Sequence, residues 1–527
     1  MRKPIIIFLA ICISCYVNAQ ENYIHLNRTF AITHNKALNQ LDFNFHTGVK
    51  PLNPRWVNKA IESSKDDTVH KGWLYRKFKR DHLIHIEGDD YDITIDPLFN
   101  FSYGVDIADT SSRADQVNLI NNTRAAIVTG RIGKAITFSS TFYENQTYFR
   151  AYIDDHIRSK EVKDGYGNLT GIVPGQGRVK EFKQFGFDYA MASGNVTFTP
   201  NSKLSFSLGN GKHFIGEGYR SLFLSDNAFN YPFFSGTINL GPVQYTTIYS
   251  LLQNYYRMPG FPTSDALFQR KKASFSYLSW NLSRKVQLGF FEGIIWKSQD
   301  ISGSSAFNYN FLNPIIYTRS LQYSLDNKIN ALIGLSTKIK AFEGGEFYGQ
   351  LMLDELKIRD KYGFQLGLKV YDPFKLENLY VQIEYNMASA FSYAHMDSSQ
   401  SYSHTHDALA HPMGANFSEV VSIINYKIKS FRVGMKYNYA NFIQDTAGTN
   451  TGNNIFISDV NDKEENGIST KVNYLDFNVS YLLNPKTNMS ITLGLSNRLY
   501  RNALKNETSN FIYIAFRTCL TNIYYDF

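Results

Sequence analysis

The stretch Gly209–Phe234, GNGKHFIGEGYRSLFLSDNAFNYPFF, places glycines, a guanidinium, a carboxylate and an amide among aromatic residues. Its Gly-x-Gly pairs suggest a phosphate site, but neither completes a dinucleotide-binding or P-loop motif or opens a helix of a βαβ unit. Planar polar groups beside aromatic rings suit a sugar, which offers hydroxyl edges and a C–H face. The same groups could instead pair inside the fold and hold a loop. The sequence leaves both alternatives open.

A second polar cluster is the segment 403–417, SHTHDALAHPMGANF. His404 and His406 face the same way in an extended chain, so together with His411 they could ligate a metal. The chain has no HExxH motif, CxxC motif or EF-hand spacing, and we therefore predict hydrogen-bonding loop residues, no metal and no cofactor. The candidates for glycan-binding or interior polar roles are Tyr219, Arg220, Ser221, Asp226, Asn227, His404, His406, His411 and Asn416, and the structural glycines are Gly216, Gly218 and Gly414.

The elements that position these residues are strands with a period of two. In each run, apolar residues alternate with polar residues or glycine over about ten positions, which is typical of strands that cross an outer membrane. The clearest runs are Phe431–Ala440, Leu475–Tyr481, Met489–Ser496, Phe364–Tyr371, Val381–Met387 and Ala135–Phe142. After residue 20 no run of about 18 apolar residues exists, so no helical membrane span is expected.

We therefore predict an all-β fold, a transmembrane antiparallel β-barrel of about 16–18 strands over residues 91–527. Residues 1–19 have the basic start, short apolar core and small-residue cleavage site of a signal peptide. Residues 20–90 are predicted to form a periplasmic segment with a short helix over Pro54–Ser64, capped by Asn53. The expected location is the outer membrane of the cell, with its lipid around the barrel.

The C-terminus supports this prediction. Phe527 is preceded at alternate positions by Tyr525, Ile523, Thr521 and Cys519, which resembles the C-terminal signal of outer-membrane barrels. We expect a last strand that ends at Phe527 on the periplasmic side. Stepping back from it places the short links 372–378, 427–430 and 484–488 inside and the long segments 392–416 and 444–467 outside, the asymmetry that such barrels show.

Charge and cysteine content narrow the function further. A formal net charge of +8 over 527 residues is too dilute to indicate a nucleic-acid partner. Signal-peptide cleavage leaves Cys519 as the single cysteine, so no intrachain disulfide is expected. No GxSxG motif exists, and Cys519 on a lipid-facing strand would be a poor nucleophile. We predict a non-enzymatic protein, and an outer-membrane hydrolase is the least favoured alternative.

The two polar motifs also carry a family resemblance. GEGYRSLFLSDNA (216–228) followed by FNYPFF (229–234) resembles the signature of the Wzi capsule-assembly family, and more closely that of its gliding-motility RemB-like members from Bacteroidetes. LAHPMGANF (409–417) resembles a recurrent motif of that group, and NNTRAA (121–126), YENQTYF (143–149) and VPGQG (173–177) are shorter matches. The Wzi-type motif usually has Trp before its glycines, where this chain has Phe214 and Ile215.

The resemblance implies a large outer-membrane barrel that is closed on its periplasmic side by helical material and has no enzymatic activity. It further implies a lectin-like role, in which the protein binds or organises surface polysaccharide for capsule attachment or for adhesion and gliding. The implied partners are surface polysaccharide and components of a gliding or secretion machinery. The alternative is a channel for small polar solutes, because the lumen-facing positions carry Lys, Asn, Ser and Asp.

Overall fold

The structure is a computed structural model. It describes residues 26–57, 72–160, 162–163, 169–257, 268–300, 303–304, 309–323, 329–354, 361–446, 448–460, 467–518 and 521–527. The predicted signal peptide, Cys519 and the later part of the predicted helix over Pro54–Ser64 lie outside these residues.

The described residues form a closed barrel of 18 antiparallel strands. The strands are β1 Tyr91–Asp106, β2 Leu119–Ile132, β3 Ile136–Thr147, β4 Gly186–Phe198, β5 Leu204–Gly211, β6 Tyr231–Asn239, β7 Val243–Arg257, β8 Phe268–Asn281, β9 Val286–Lys297, β10 Asn330–Phe342, β11 Gly345–Asp354, β12 Tyr362–Tyr371, β13 Leu379–Ala388, β14 Phe417–Ile428, β15 Phe431–Gln444, β16 Ile468–Asn484, β17 Met489–Arg501 and β18 Asn506–Arg517. Each strand pairs with its neighbours in the chain, and β1 pairs with β18 from Asn100↔Arg517 to Asp106↔Phe511, which closes the sheet. Ile84–Gly88 pairs with the first residues of β1, from Tyr91 to Ile95, and Lys180–Phe182 pairs with β4.

The two faces of the wall match the period-two pattern. In β17 the side chains of Ile491, Leu493 and Leu495 are 42–60% exposed on the outside, whereas Ser490, Thr492 and Ser496 are buried toward the lumen. An apolar outer face and a polar inner face are what a barrel in lipid requires. The strand count and all six runs singled out in the sequence are confirmed.

The two ends of the barrel differ. One end has short connections, such as residues 133–135, 199–203, 240–242, 343–344 and 429–430, and the other end has long ones, such as residues 148–185, 212–230, 389–416 and 445–467. Because outer-membrane barrels have short periplasmic turns, the short-turn end is the periplasmic end. The expected placement of the links near residues 372–378, 427–430 and 484–488 at one end is confirmed.

The helices are short. They are α1 Arg28–Leu38, α2 Pro54–Val57, α3 Trp73–Lys79, α4 Ala151–Ser159 and α5 Thr318–Tyr323. Asn53 Oδ1 accepts a hydrogen bond from the backbone N–H of Arg55 at 3.0 Å, so the predicted cap of the helix that begins at Pro54 is confirmed. None of the helices among the described residues is long and apolar enough to cross a membrane.

Part of the N-terminal segment lies inside the barrel. Val49–Lys50 pairs antiparallel with Phe214–Ile215, which belongs to the connection between β5 and β6. Thr47 and Leu52 are buried, and the Asn44 side chain bonds Ser283 O at the periplasmic turns. The segment therefore reaches from the periplasmic rim into the lumen.

The prediction for the C-terminus is wrong. The last strand ends at Arg517, and the C-terminal tail, residues 521–527, runs up the lumen as extended chain outside the sheet. Phe527 packs against Tyr152 of α4, at the long-loop end. Successive tail residues face different surroundings, so the tail alternates as a strand does, and the sequence could not separate the two.

A second segment packs against the outside of the wall. Residues 309–323, between β9 and β10, cover a polar patch formed by Ser274, Ser276 and Glu292 on the outer face. Arg319 donates hydrogen bonds to all three side chains, at 2.6, 3.1 and 2.7 Å, and it is 1% exposed. The segment thus keeps a glutamate on the lipid-facing wall paired and away from lipid.

Candidate functional site

The connection between β5 and β6, residues 212–230, folds into the lumen and carries the polar motif. We call it the inner loop. Its backbone is held by side chains of the wall: Glu384 accepts the N–H groups of Tyr219 and Arg220 at 2.6 and 2.9 Å, and Gln350 accepts that of Leu222 at 2.8 Å. Polar residues in mid-strand therefore act as the hydrogen-bond partners that an irregular buried backbone needs.

Two glycines allow this path. Gly216 has φ +146°, a conformation that residues with a side chain rarely adopt. At Gly218 a Cβ would collide with the Glu384 carboxylate, so the loop and β13 can approach only with glycine there. Gly414, at φ +72°, turns the connection between β13 and β14.

Arg220 lies at the centre of a buried ion cluster. Its Nη2 lies 2.7 Å from Glu419 Oε1 on β14 and 3.1 Å from Asp526 Oδ1 on the C-terminal tail, and all three side chains are at most 1% exposed. Lys436 Nζ on β15 lies 3.0 Å from Asp526 Oδ2. Burial raises the pKa of Asp526, but the charges of Arg220 and Lys436 outweigh it and hold the pKa well below its usual range.

Asp226 contacts both terminal segments of the described chain. Its carboxylate accepts hydrogen bonds from Tyr524 Oη at 2.5 Å and Asn522 Nδ2 at 2.7 Å on the tail, and Arg28 Nη2 of α1 lies 3.5 Å away. Arg220 and Asp226 therefore do not pair with each other. The inner loop instead holds the C-terminal tail through Arg220 and both terminal segments through Asp226.

A second ion cluster ties the N-terminal segment to the wall. Glu217 Oε atoms lie 3.7–3.8 Å from the ammonium groups of Lys50, Lys338 and Lys369. Burial lowers the pKa of Lys50 to about 8, although Glu217 opposes the effect. Lys340 Nζ also donates to the carbonyls of Leu38 and Gln40 at 3.2 and 2.9 Å, and to that of Phe43, so wall lysines bind the turn after α1.

The connection between β13 and β14, residues 389–416, packs against the inner loop. Asn227 Nδ2 donates to Ala408 O at 3.0 Å, and Ser225 N donates to Leu409 O at 2.7 Å. Ser221 Oγ accepts the N–H of Phe223 at 3.1 Å, and the Phe223 ring stacks on that of Phe291 in the wall, with centroids 4.7 Å apart. The motif is thus embedded in an apolar core as well as in ion pairs.

The side chains of the three histidines do not meet at one point, and each has different partners. His404 Nδ1 accepts the N–H of Gln253 at 2.9 Å, and His411 Nε2 lies 2.7 Å from Glu419 Oε2. The His406 ring stacks on those of Tyr255 and Phe456. Within the described part of the chain no group of three His, Cys, Asp or Glu residues could hold a metal ion. Burial lowers the pKa of His404 to about 3 and that of His406 to about 4.

The remaining candidate, Asn416, has φ +52° and its Nδ2 donates to Thr451 O at 2.9 Å. It thereby joins residues 389–416 to the connection between β15 and β16. Of all the candidates, Tyr219, Arg220, Ser221, Asp226, Asn227, His404 and His411 are at most 6% exposed inside the barrel. This geometry favours the alternative in which the motif holds the lumen closed, and contact of these side chains with a glycan stays a prediction.

Sequence reasoning missed the partners. Glu384, Glu419 and Lys436 lie in the middle of strands and face the lumen. A charged residue at such a position in a period-two run indicates that a group of opposite charge lies beside it in the interior. That signal was available. Nothing in the sequence indicates that Arg28 and Asp526, from opposite ends of the chain, reach the same loop.

Two cavities remain in the lumen beside these segments. One, of about 200 Å³, is lined mainly by Ser, Thr and Asn side chains of β3 to β7 and by residues 51–57. The other, of about 270 Å³, lies among α1, β12 to β16 and the tail, and carries Arg28, Lys50, Lys369 and Lys436. Leu26, Pro51, Leu52, Asp226 and Asn522 line both cavities.

No protein-family model matches the sequence, and no curated protein matches it. Among solved structures, Wzi of Escherichia coli is similar over 95% of this chain and 100% of its own, with a TM-score of 0.55 and 12% identity. Wzi is described as an outer-membrane protein involved in group 1 capsule assembly and as a carbohydrate-binding β-barrel. The protein is an outer-membrane β-barrel with a fold similar to that of Wzi.

Other barrels are more distant. OprD of Pseudomonas aeruginosa, at 9% identity, is similar over 81% of this chain and 96% of its own with a TM-score of 0.40. OpdK of the same organism, solved with vanillate, has 9% identity and a TM-score of 0.43 over 81% of this chain and 98% of its own.

Proposed function

We propose that the protein is a non-enzymatic outer-membrane barrel that binds or organises cell-surface polysaccharide. The observation that carries the proposal is the likeness in fold to Wzi over 95% of this chain and 100% of that one, because Wzi itself is described as carbohydrate-binding. The polar motifs that resemble the Wzi family add support, since they form the inner loop and its neighbouring connection.

The filled lumen supports this proposal over a channel. The inner loop, the N-terminal segment, the tail and residues 389–416 occupy the interior. Buried ion pairs link the inner loop to the wall and to the tail, partly exposed ion pairs link it to the N-terminal segment, and hydrogen bonds link it to residues 389–416. Breaking a fully buried pair such as Arg220–Glu419 by losing one partner costs about 3–5 kcal/mol. A solute path would require several such contacts to break, whereas recognition of a polymer at the long-loop end requires none.

The cellular role has two versions. The Wzi likeness supports attachment of capsule, and the resemblance of the 409–417 motif to the gliding group supports adhesion or gliding, with machinery components as partners. Both versions use the same activity, retention of polysaccharide at the long-loop end, and they differ in what the polysaccharide then serves.

The deciding experiment uses the full-length purified protein and the polysaccharide of its own strain, with binding measured by surface plasmon resonance. We expect saturable binding, and we expect a deletion strain to lose surface polysaccharide, adhesion or gliding. The same protein should show no open-channel current in planar bilayers. Steady current without polysaccharide binding would favour the channel, and polysaccharide cleavage that disappears in the H404A variant would favour a hydrolase.

A further inference from the structure

The cavity of about 200 Å³ is built differently from the rest of the lumen. Five neighbouring strands, β3 to β7, give it one wall of hydroxyl and amide side chains. The residues of that wall are Thr137, Ser139, Thr141, Ser193, Asn195, Thr197, Ser205, Ser207, Ser235, Thr237, Gln244 and Thr246. Thr137, Ser205 and Thr246 lie near the periplasmic turns, so the cavity occupies the periplasmic half of the barrel.

Several of these groups have no protein partner. The hydroxyls of Ser139, Thr141 and Ser193 make no hydrogen bond to any described residue, although Ser139 and Thr141 are only 8% and 7% exposed. Asn230 also lines the cavity, and its Oδ1 is buried without a partner among the described residues. Each hydroxyl offers one donor and two acceptor positions, so the wall has unused capacity on adjacent strands. Buried polar groups of this kind are normally satisfied, here by a ligand or by water.

The opposite wall is apolar. Leu52, Pro54, Trp56 and Val57 of the N-terminal segment line it, and Trp56 Nε1 donates to Ser202 O at 2.9 Å, which fixes the indole. Polar groups on one side and an indole with aliphatic groups on the other match a pyranose ring, which has hydroxyl edges and a C–H face.

The charged groups that line the cavity are engaged by other parts of the protein. Lys212 Nζ is bound to the carbonyls of Gly175 and Asp226 at 2.7 and 3.2 Å, and the Asp226 carboxylate is held by the tail. Burial lowers the pKa of His213 to about 4, so its ring is neutral at physiological pH. The lining groups without a protein partner are hydroxyl and amide groups, which carry no charge and favour a neutral sugar over an acidic one.

We propose that this cavity is a binding site for a single neutral sugar residue presented from the periplasmic side. The volume of about 200 Å³ is below the range of about 300–1,000 Å³ that is usual for sites of drug-sized ligands, which favours one ring over an oligosaccharide. The site is separate from polysaccharide binding at the long-loop end, so either proposal can fail alone.

The test is saturation-transfer difference NMR of the full-length protein in detergent with D-glucose, D-galactose, D-mannose or D-glucuronate as the probe. We expect transfer to at least one neutral hexose and none to glucuronate. T141V should weaken binding about five- to tenfold, the effect of losing one or two hydrogen bonds. T492V is the matched control, because Thr492 is a buried lumen hydroxyl on β17 that bonds Ser480 and lines neither cavity.

Heat-modifiable migration shows that each variant is folded, so a loss of binding can be assigned to the site. The proposal is overturned if no neutral hexose receives saturation, if glucuronate binds as well as the hexoses, or if T141V binds as the wild type does. Equal losses in T141V and T492V would also overturn it. Binding of strain polysaccharide by T141V should be unchanged, which separates this result from the test of the proposed function.

Discussion

Replacing Arg220 with Met should open the lumen. The change keeps most of the side-chain volume and removes the cation that joins the inner loop, β14 and the tail. Arg220 donates one bifurcated hydrogen bond from Nε to both carboxylate oxygens of Glu419, at 3.2 Å, and one from Nη2 at 2.7 Å, and it forms an ion pair with Asp526. All of these groups are buried, so water cannot replace the lost contacts without entering the lumen.

The expected loss of stability depends on the hydrogen-bond donors and cations that each carboxylate retains in R220M. Glu419 retains His411, Asn386 and Asn438 as donors, and Asp526 retains Lys436. Loss of one partner from a buried pair costs about 3–5 kcal/mol, and the retained donors place this case near 3 kcal/mol. That value shifts the equilibrium between the seated and the released tail by about two decades.

Two measurements check the prediction. The free energy of unfolding from urea titrations in detergent should fall by about 3 kcal/mol, and planar bilayers should show current that the wild type lacks. R319M is the matched control, because Arg319 is also 1% exposed and paired with a buried glutamate, but on the outer wall. R319M should lose similar stability and stay non-conducting.

The reasoning fails if R220M unfolds at the wild-type urea concentration, or if R319M conducts as R220M does. Adding E419Q to R220M should recover part of the lost stability, because the second change removes the uncompensated charge. A double variant that is as unstable as the sum of the two single changes would show that the ion pair is not the cause.

Three further predictions concern other contacts. The folded pKa of Asp526 lies below its unfolded value, so its ion pairs stabilise the protein above about pH 4 and lose this contribution as the pH falls further; urea titrations should therefore show a smaller loss between pH 5 and 3 in D526N than in the wild type. E292Q should cost less stability than R319M, because it leaves an amide that still bonds the arginine, and equal losses would contradict this reasoning. G218A should destabilise the inner loop by about 1–3 kcal/mol through its collision with Glu384, measured by thermal gel shift, and an unchanged midpoint would show that the loop can move aside.

The sequence predicts the wall much better than its contents. In the run Met489–Ser496, apolar residues that face lipid alternate with polar residues or glycine that face the lumen, so its period of two identifies it as a strand. The long and short connections follow from the strand assignments. The tail shows where prediction from periodicity fails. Thr521–Phe527 has the same alternation as a strand, although the whole segment lies inside the lumen and belongs to no sheet. Periodicity reports two different environments around an extended chain, and it does not report membership of a sheet.

Part of the candidate site could be predicted from residue types, and part of it could not. The composition of 216–228 indicates polar groups that need partners, and the structure supplies them from Glu384 and Glu419 in mid-strand. Which carboxylate meets Arg220 depends on barrel closure and strand tilt, which residue types do not encode. The outer-wall segment 309–323 gives no sequence signal, because its one arginine resembles that of any loop.

The filled lumen is a property of the whole chain. Arg220 and Glu419 are 199 residues apart, Tyr219 and Asp526 are 307 apart, and Arg28 and Asn522 are 494 apart. These contacts join distant parts of the chain that the barrel brings together, and each segment is held by groups from the others. Release of one segment therefore leaves buried charges on its neighbours, so the segments favour leaving together or staying together. A gated channel would have to break these ion pairs each time it opened. A binding protein forms them once, when it folds, and need not break them to function. The arrangement of charges in the lumen therefore supports the proposed binding role over the channel alternative.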